Sequence, residues 1–191
     1  MNNMYYPSYD EFKHLATMGN LVPVYRQLFA DTLTPVSAFQ KISDSENAFL
    51  LESAAGGEKI SRYSFLGANP FIEFTSFGHR IEINRGDKGK EVMHTQYPLE
   101  VLYKEIKSFT PVQVDGLPNF FSCGVGYIGY DTVRCYEALP NIPTDDLSLP
   151  DIHVMFYDSV IIFDHLTKTI KVVCAAKIDE SNLKKVYHEA I

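Results

Sequence analysis

The 191 residues include no tryptophan and only three cysteines, Cys123, Cys135 and Cys174. An odd number without C-x-x-C spacing argues against a disulfide framework and a zinc site, and it points to a reducing cytoplasm. No apolar run approaches the roughly 18 residues that a membrane helix requires. The opening Met1-Asn2-Asn3-Met4-Tyr5-Tyr6-Pro7 lacks a basic stretch followed by an apolar one, so it does not read as a secretory signal. Basic charge is also in deficit: 17 Lys and Arg stand against 24 Asp and Glu, for a formal charge of -7 and a pI of about 5.3. That balance has the wrong sign for holding phosphate backbones by charge neutralisation, so nucleic acid is not expected as a partner, and neither is a membrane. G-x-S-x-G, H-E-x-x-H and Walker A patterns are missing too, which removes the common nucleophile, zinc-hydrolase and nucleotide signatures.

What is present is a globular composition, 46% hydrophobic and 21% charged, in a length that fits one domain. Ser8-Tyr9-Asp10-Glu11 has the form of a capping box, and Phe12, Leu15 and Ala16 recur after it at helical spacing until Gly19-Asn20. Leu21 to Phe29 begins with an extended Leu-Val-Pro-Val-Tyr run, and Pro35 opens a short helix expected to reach Lys41. From Ala48 onward, period-two alternation cut by turns predicts strands over Ala48 to Ser53, Tyr63 to Ala68, Phe71 to Phe77 and Arg80 to Asn84. Ser76 to His79 and Arg85 to Gly89 read as hairpin turns. Leu99, Leu102, Ile106 and Phe109 mark an amphipathic helix closed by Pro111, after which Phe120 to Tyr130 returns to strand and Asp131 to Leu139 reads as a short helix. The proline-rich stretch Leu139 to Pro150 reads as a loop. Val154 to Phe163 and Thr169 to Ala176 read as two long strands joined by the hairpin Asp164 to Lys168. Leu183, Val186, Tyr187 and Ala190 then share a helix face. With no stop signal before Ile191, that helix points to an excerpt from a longer protein.

Chemistry is sparse. Gly124-Val125-Gly126-Tyr127-Ile128-Gly129 has the glycine spacing of a dinucleotide loop, but it sits inside an apolar strand pattern in an antiparallel context, where glycine marks a bend or close backbone packing. The six histidines are scattered as surface or hairpin residues, and Asp145-Asp146 in a proline-rich loop reads as solvated charge; neither points to a metal. The unusual feature is Leu50-Leu51-Glu52-Ser53, an apolar strand whose end carries an acid and a hydroxyl, followed by Lys59 and Arg62. A carboxylate that can take an ammonium, beside a hydroxyl that both donates and accepts, suits the head group of a free amino acid. The same residues also fit a plain polar strand end with Glu52 solvated or paired to Arg62.

Pro23-Val24-Tyr25-Arg26, Thr34-Pro35-Val36-Ser37-Ala38-Phe39, Phe49-Leu50-Leu51-Glu52-Ser53, Arg62-Tyr63-Ser64-Phe65-Leu66-Gly67 and Gly124 to Arg134 occur together in an order that resembles the N-terminal region of anthranilate synthase component I. The resemblance covers the chain from about Glu11 to its last helix. It implies an α+β architecture of antiparallel stacked sheets flanked by helices, as in the chorismate-utilising fold shared by anthranilate and aminodeoxychorismate synthases. It implies a lyase that makes anthranilate and pyruvate from chorismate, with ammonia from a glutamine amidotransferase component II or from solution, and Mg2+ holding the substrate. Catalytic and metal residues would lie in the C-terminal region, outside this chain, so none is assigned here and the piece alone is expected to be inactive. It implies that Leu51, Glu52 and Ser53 line a feedback pocket for L-tryptophan, with Pro35 as a wall. Lys59 or Arg62 would either meet the inhibitor carboxylate or balance Glu52. Aminodeoxychorismate synthase component I, which shares a Gly-Tyr-Asp strand end like Gly129-Tyr130-Asp131, is the alternative, as is a free-standing amino-acid-binding module.

Overall fold

The computed structural model describes residues 4–30, 32–44, 47–52 and 62–191. They divide into two compact units: one of residues 1–69, 109–123 and 157–191, the other of residues 70–108 and 124–156.

The first unit is built on a six-stranded antiparallel sheet. Its strands are β1 (Tyr5–Tyr6), β2 (Leu21–Phe29), β3 (Phe49–Glu52), β4 (Tyr63–Gly67), β10 (Ser159–Asp164) and β11 (Thr169–Lys177), in the spatial order β1-β2-β11-β10-β4-β3. Side chains alternate across a strand, so one face collects Val22, Val24, Leu66, Phe163 and Ile170 and the other Tyr25, Val160, Ile162 and Val173. The first face carries the helices. Helix α1 (Tyr9–Leu15) starts at the expected capping box, Ser8 accepting from the Glu11 amide while Glu11 accepts from the Ser8 amide at 2.8 Å. It buries Phe12 against Val22, Val24 and Ala176, together with Tyr187 of α4 (Leu183–Glu189). The Tyr187 hydroxyl donates to the Pro7 carbonyl at 2.9 Å, which ties the last helix to the first turn of chain. Helix α2 (Pro35–Ile42) is capped by Thr34 and packs Ala38 onto Leu66, Phe163 and Ile170. The opposite face is covered by the segment 109–123: Phe120 meets Phe65 edge-on at 4.8 Å, and the Tyr25 hydroxyl donates to the Asp115 carbonyl.

The second unit is a five-stranded antiparallel sheet in the order β7-β6-β5-β9-β8, from β5 (Ile72–Phe77), β6 (Arg80–Asn84), β7 (Lys90–His94), β8 (Cys123–Ile128) and β9 (Ile152–Tyr157). Gly78, at φ 54°, makes the β5–β6 turn that an L side chain rarely adopts. Helix α3 (Pro98–Lys107) buries Leu102, and the bidentate pair Arg85–Glu105, 2.7 Å on each arm, fastens it to the hairpin after β6.

Most elements fall where the sequence places them, with the strand expected over Phe120 to Tyr130 shortened to Cys123–Ile128 and the short helix expected over Asp131 to Leu139 found as a 3-10 segment, Tyr130–Cys135. One expectation is overturned. Val154 to Phe163 is not one strand: Asp158 separates β9 of the second unit from β10 of the first, and the two pair in different sheets. Two polar residues, Asp158 and Ser159, within a long apolar run carry no local mark of a sheet change. The Gly124–Gly129 run is strand, as expected. A Cβ on Gly126 would lie 1.9 Å from the His153 carbonyl oxygen, which is close backbone packing and not a phosphate cradle.

Candidate functional site

Among the described residues, strand β3 is the outer strand of its sheet, paired on one side with β4. Alternation puts Leu51 and Glu52 on opposite faces: Leu51 pairs across to Phe65, whereas Glu52 pairs across to Ser64, on the helix-bearing face. Glu52 is exposed at the rim while Ser64 is buried. The Ser64 Oγ stands 3.5 Å from Glu52 Oε1 and 2.7 Å from Nε2 of His165, the residue just past β10. Glu52, Ser64 and His165 thus form a polar line across the ends of adjacent strands.

Helix α2 supplies the neighbouring wall. Its last residues, Lys41 and Ile42, with Asp44 beyond them, line a cavity of about 720 Å³ with Leu66–Asn69 and Ser159–Ile161. The helix packs on the face of the sheet that carries Glu52, and its first turn, with Pro35, holds no acidic residue. The cavity itself lies at the other end of the helix and includes none of the predicted ligand residues.

Arg62 does not balance Glu52. Its Nε and Nη2 donate to Asp164 Oδ1 and Oδ2 at 3.1 and 2.8 Å, and its guanidinium lies over the Tyr63 ring at 4.8 Å. The choice of partner follows from register: Tyr63 stands opposite Asp164, which brings the residue before β4 alongside that carboxylate. Burial alone would raise the Asp164 pKa, but Arg62 and the Thr167 amide and hydroxyl outweigh it and hold the carboxyl at about 2. Lys171, buried nearby, has its ammonium pushed down by burial, partly offset by Asp164. Leu51, opposite Phe65 and Ile162, belongs with this second face. Ser53 and Lys59 lie outside the described residues.

Sequence reasoning missed Ser64, Asp164 and His165. Ser64 sat in a quoted motif, and Asp164 and His165 had only been read as a turn; the pairing of β4 with β10 that gathers them spans some hundred residues and leaves no local trace. His153 also differs from expectation: it is a mid-strand residue in β9, 2.9 Å from Glu73 Oε1. Among the described residues no three His, Cys, Asp or Glu side chains cluster as a metal site, and no helix is long and apolar enough to cross a membrane.

Two antiparallel sheets with flanking helices, joined in this order, define an α+β protein of the chorismate-utilising kind. The crystal structure of anthranilate synthase component I from Streptococcus pneumoniae matches it with a TM-score of 0.53 and 27% identity, over 85% of this chain and 35% of that one. Anthranilate synthase component 1 of Acetivibrio thermocellus is 39% identical over 98% of this chain and 38% of its own length. The chloroplastic anthranilate synthase alpha subunit 2 of Arabidopsis thaliana is 37% identical over 90% of this chain and 30% of its own. Component 1 of Aquifex aeolicus is 37% identical over 87% and 34%. No protein-family model matches the sequence. The chain belongs with anthranilate synthase component I, whose N-terminal region it fits, and it spans between about a third and two fifths of these relatives' length.

Proposed function

We propose that this chain is the N-terminal, regulatory part of a cytoplasmic anthranilate synthase component I, a lyase that converts chorismate and ammonia to anthranilate and pyruvate at the entry to tryptophan biosynthesis. Chorismate, the glutamine amidotransferase component II and L-tryptophan as feedback inhibitor are its partners in that reading. The observation that carries it is the 39% identity along 98% of the chain to component 1 of A. thermocellus, of which the chain spans 38%. The chemistry of the reaction, and the residues that hold Mg2+ for it, belong to the remaining length. The described residues contain no carboxylate cluster that fits a magnesium site.

Within this part, Glu52 is the group that takes the ammonium of L-tryptophan. It is an exposed carboxylate at the end of an outer strand, with Ser64 at its back, and in this reading Pro35, in the first turn of α2, is a wall of the pocket. Ser53 is the adjoining hydroxyl in the sequence. Leu51, on the opposite face of the strand, stands apart from that contact, and Arg62, engaged with Asp164, is not a free cation for the inhibitor carboxylate. Fluorescence tests the reading. The chain has no tryptophan of its own, so added L-tryptophan is the only indole and reports its own transfer out of water. Binding should shift its emission to shorter wavelength and raise the unfolding temperature, by about 2.7 kcal/mol of stabilisation at a hundred times the dissociation constant. Glu52→Ala should abolish both. A folded chain that shows neither effect at millimolar L-tryptophan, or a shift that survives Glu52→Ala, overturns the assignment.

A further inference from the structure

Glu52, Ser64 and His165 sit on three successive chain ends of one sheet, and the serine between them owns a single hydroxyl proton. We propose that Ser64 and His165 are positioning residues for Glu52: protonation of His165 turns the Ser64 hydroxyl onto the Glu52 carboxylate, sets a positive charge behind it, and weakens its hold on a ligand ammonium. The proposal rests on the reading of Glu52 given above and adds its regulation.

The distances set the logic. Ser64 Oγ is 2.7 Å from His165 Nε2, a full hydrogen bond, and 3.5 Å from Glu52 Oε1, the outer limit of one. When the imidazole is neutral and presents a lone pair at Nε2, the hydroxyl donates there and leaves the carboxylate to the ligand. When the ring is protonated, Nε2 has only a proton to offer, so it donates to Oγ and the hydroxyl proton turns to Glu52. A positive charge then stands behind the carboxylate, no further from it than the two contacts laid end to end. An ammonium arriving at Glu52 meets a group already partly satisfied, and repulsion by the imidazolium behind it lowers its affinity about three- to tenfold.

The other charges around His165 do not cancel this effect. The His165 amide donates to the Arg62 carbonyl, and the Arg62 guanidinium is closed against Asp164, so that pair is internally neutral. Lys171 is opposite Ile162 and so faces the other side of the sheet, while Lys168 belongs to the turn beyond Thr167. On α2 the first turn carries no acid, and Lys41 and Asp44 stand at the far end with Gly67–Asn69. Among the described residues, Glu52 is the carboxylate that the Ser64 hydroxyl reaches.

The test separates the relay from the ligand. Proton NMR of the histidine rings, with His165 identified by His165→Asn, follows its titration in the ligand-free chain. Glu52→Gln should lower the pH at which His165 titrates, and the same substitution in a Ser64→Ala background should lower it less. An unchanged His165 titration in Glu52→Gln overturns the relay. L-Tryptophan titrations by indole emission across about pH 5.5 to 7.5, where histidine changes charge, should then show affinity rising about three- to tenfold toward high pH, and a flat profile in His165→Asn. A pH dependence that persists unchanged in His165→Asn overturns the regulation. If Glu52→Gln moves His165 but L-tryptophan binds at no pH, the relay stands and the assignment of Glu52 as ammonium acceptor falls.

Discussion

Asp164→Asn removes one charge from the best-defined ion pair in the structure and leaves the shape of the side chain intact. The carboxylate side chain is 1% exposed and Arg62 closes on it with two hydrogen bonds. Its fall from an ordinary 3.8 to about 2 corresponds to about 2.4 kcal/mol at 1.36 kcal/mol per pKa unit. Because 39% of the Arg62 side chain meets solvent, which screens the pair, about 1–2 kcal/mol is the expected contribution. The pKa is depressed in the folded state, so this stabilisation is complete above about pH 4 and disappears as pH falls through about 2. Urea unfolding followed by far-UV circular dichroism at a series of pH values reads it directly. Asp164→Asn should lose about 1–2 kcal/mol at neutral pH and should fall less steeply than the parent below about pH 4. Arg62→Met should lose a similar amount, and the double variant little more than either, since both delete one interaction. Equal losses for Asp164→Asn at neutral pH and at about pH 2, or fully additive single variants, would refute the reasoning.

Substitutions at two further positions check the packing. Gly126→Ala drives a methyl to within 1.9 Å of the His153 carbonyl oxygen, so β8 must shift; a loss of at least about 1–3 kcal/mol in thermal unfolding is expected, and a neutral effect would mean that β8 does not pack as described. Tyr187→Phe deletes the 2.9 Å bond to the Pro7 carbonyl and leaves a buried acceptor, for a loss of about 1–3 kcal/mol that Tyr187→Leu, which also opens a cavity, should exceed in the same melts.

Local signals in the sequence were reliable where the physics is local. Ser8 and Glu11 three residues apart are enough to start α1, and Thr34-Pro35 to start α2, because a cap needs only its own turn. The hairpin at Asp164 to Lys168 was legible for the same reason, and β10 and β11 indeed pair from Asp164–Thr169 outward. What failed was whatever depends on distant partners. Asp158 looks like one polar residue in a long strand, yet there the chain leaves one sheet for another. By sequence Arg62 could be matched to Glu52 at the end of the neighbouring strand; the fold instead presents Asp164, a hundred and two positions away, with two aligned oxygens at the strand opposite.

The same distinction bears on the motif Leu50-Leu51-Glu52-Ser53. As a string it reads as one patch, but in a strand successive residues face opposite ways, so Leu51 and Glu52 cannot present one continuous surface. The polar half of any ligand contact must be assembled on the Glu52 side, from groups that share its face. Those groups come from β4 and from the residue just past β10, and both are fixed by the ladder pairing Glu52 to Ser64 and Ser64 to Phe163. A slip of that ladder by one residue would move Ser64 to the other face and leave Glu52 without its hydroxyl partner. Recognition at this strand end therefore depends on register as much as on the identity of the acid, and residues outside the motif, Ser64 and His165 first among them, are where its affinity can be altered without touching Glu52.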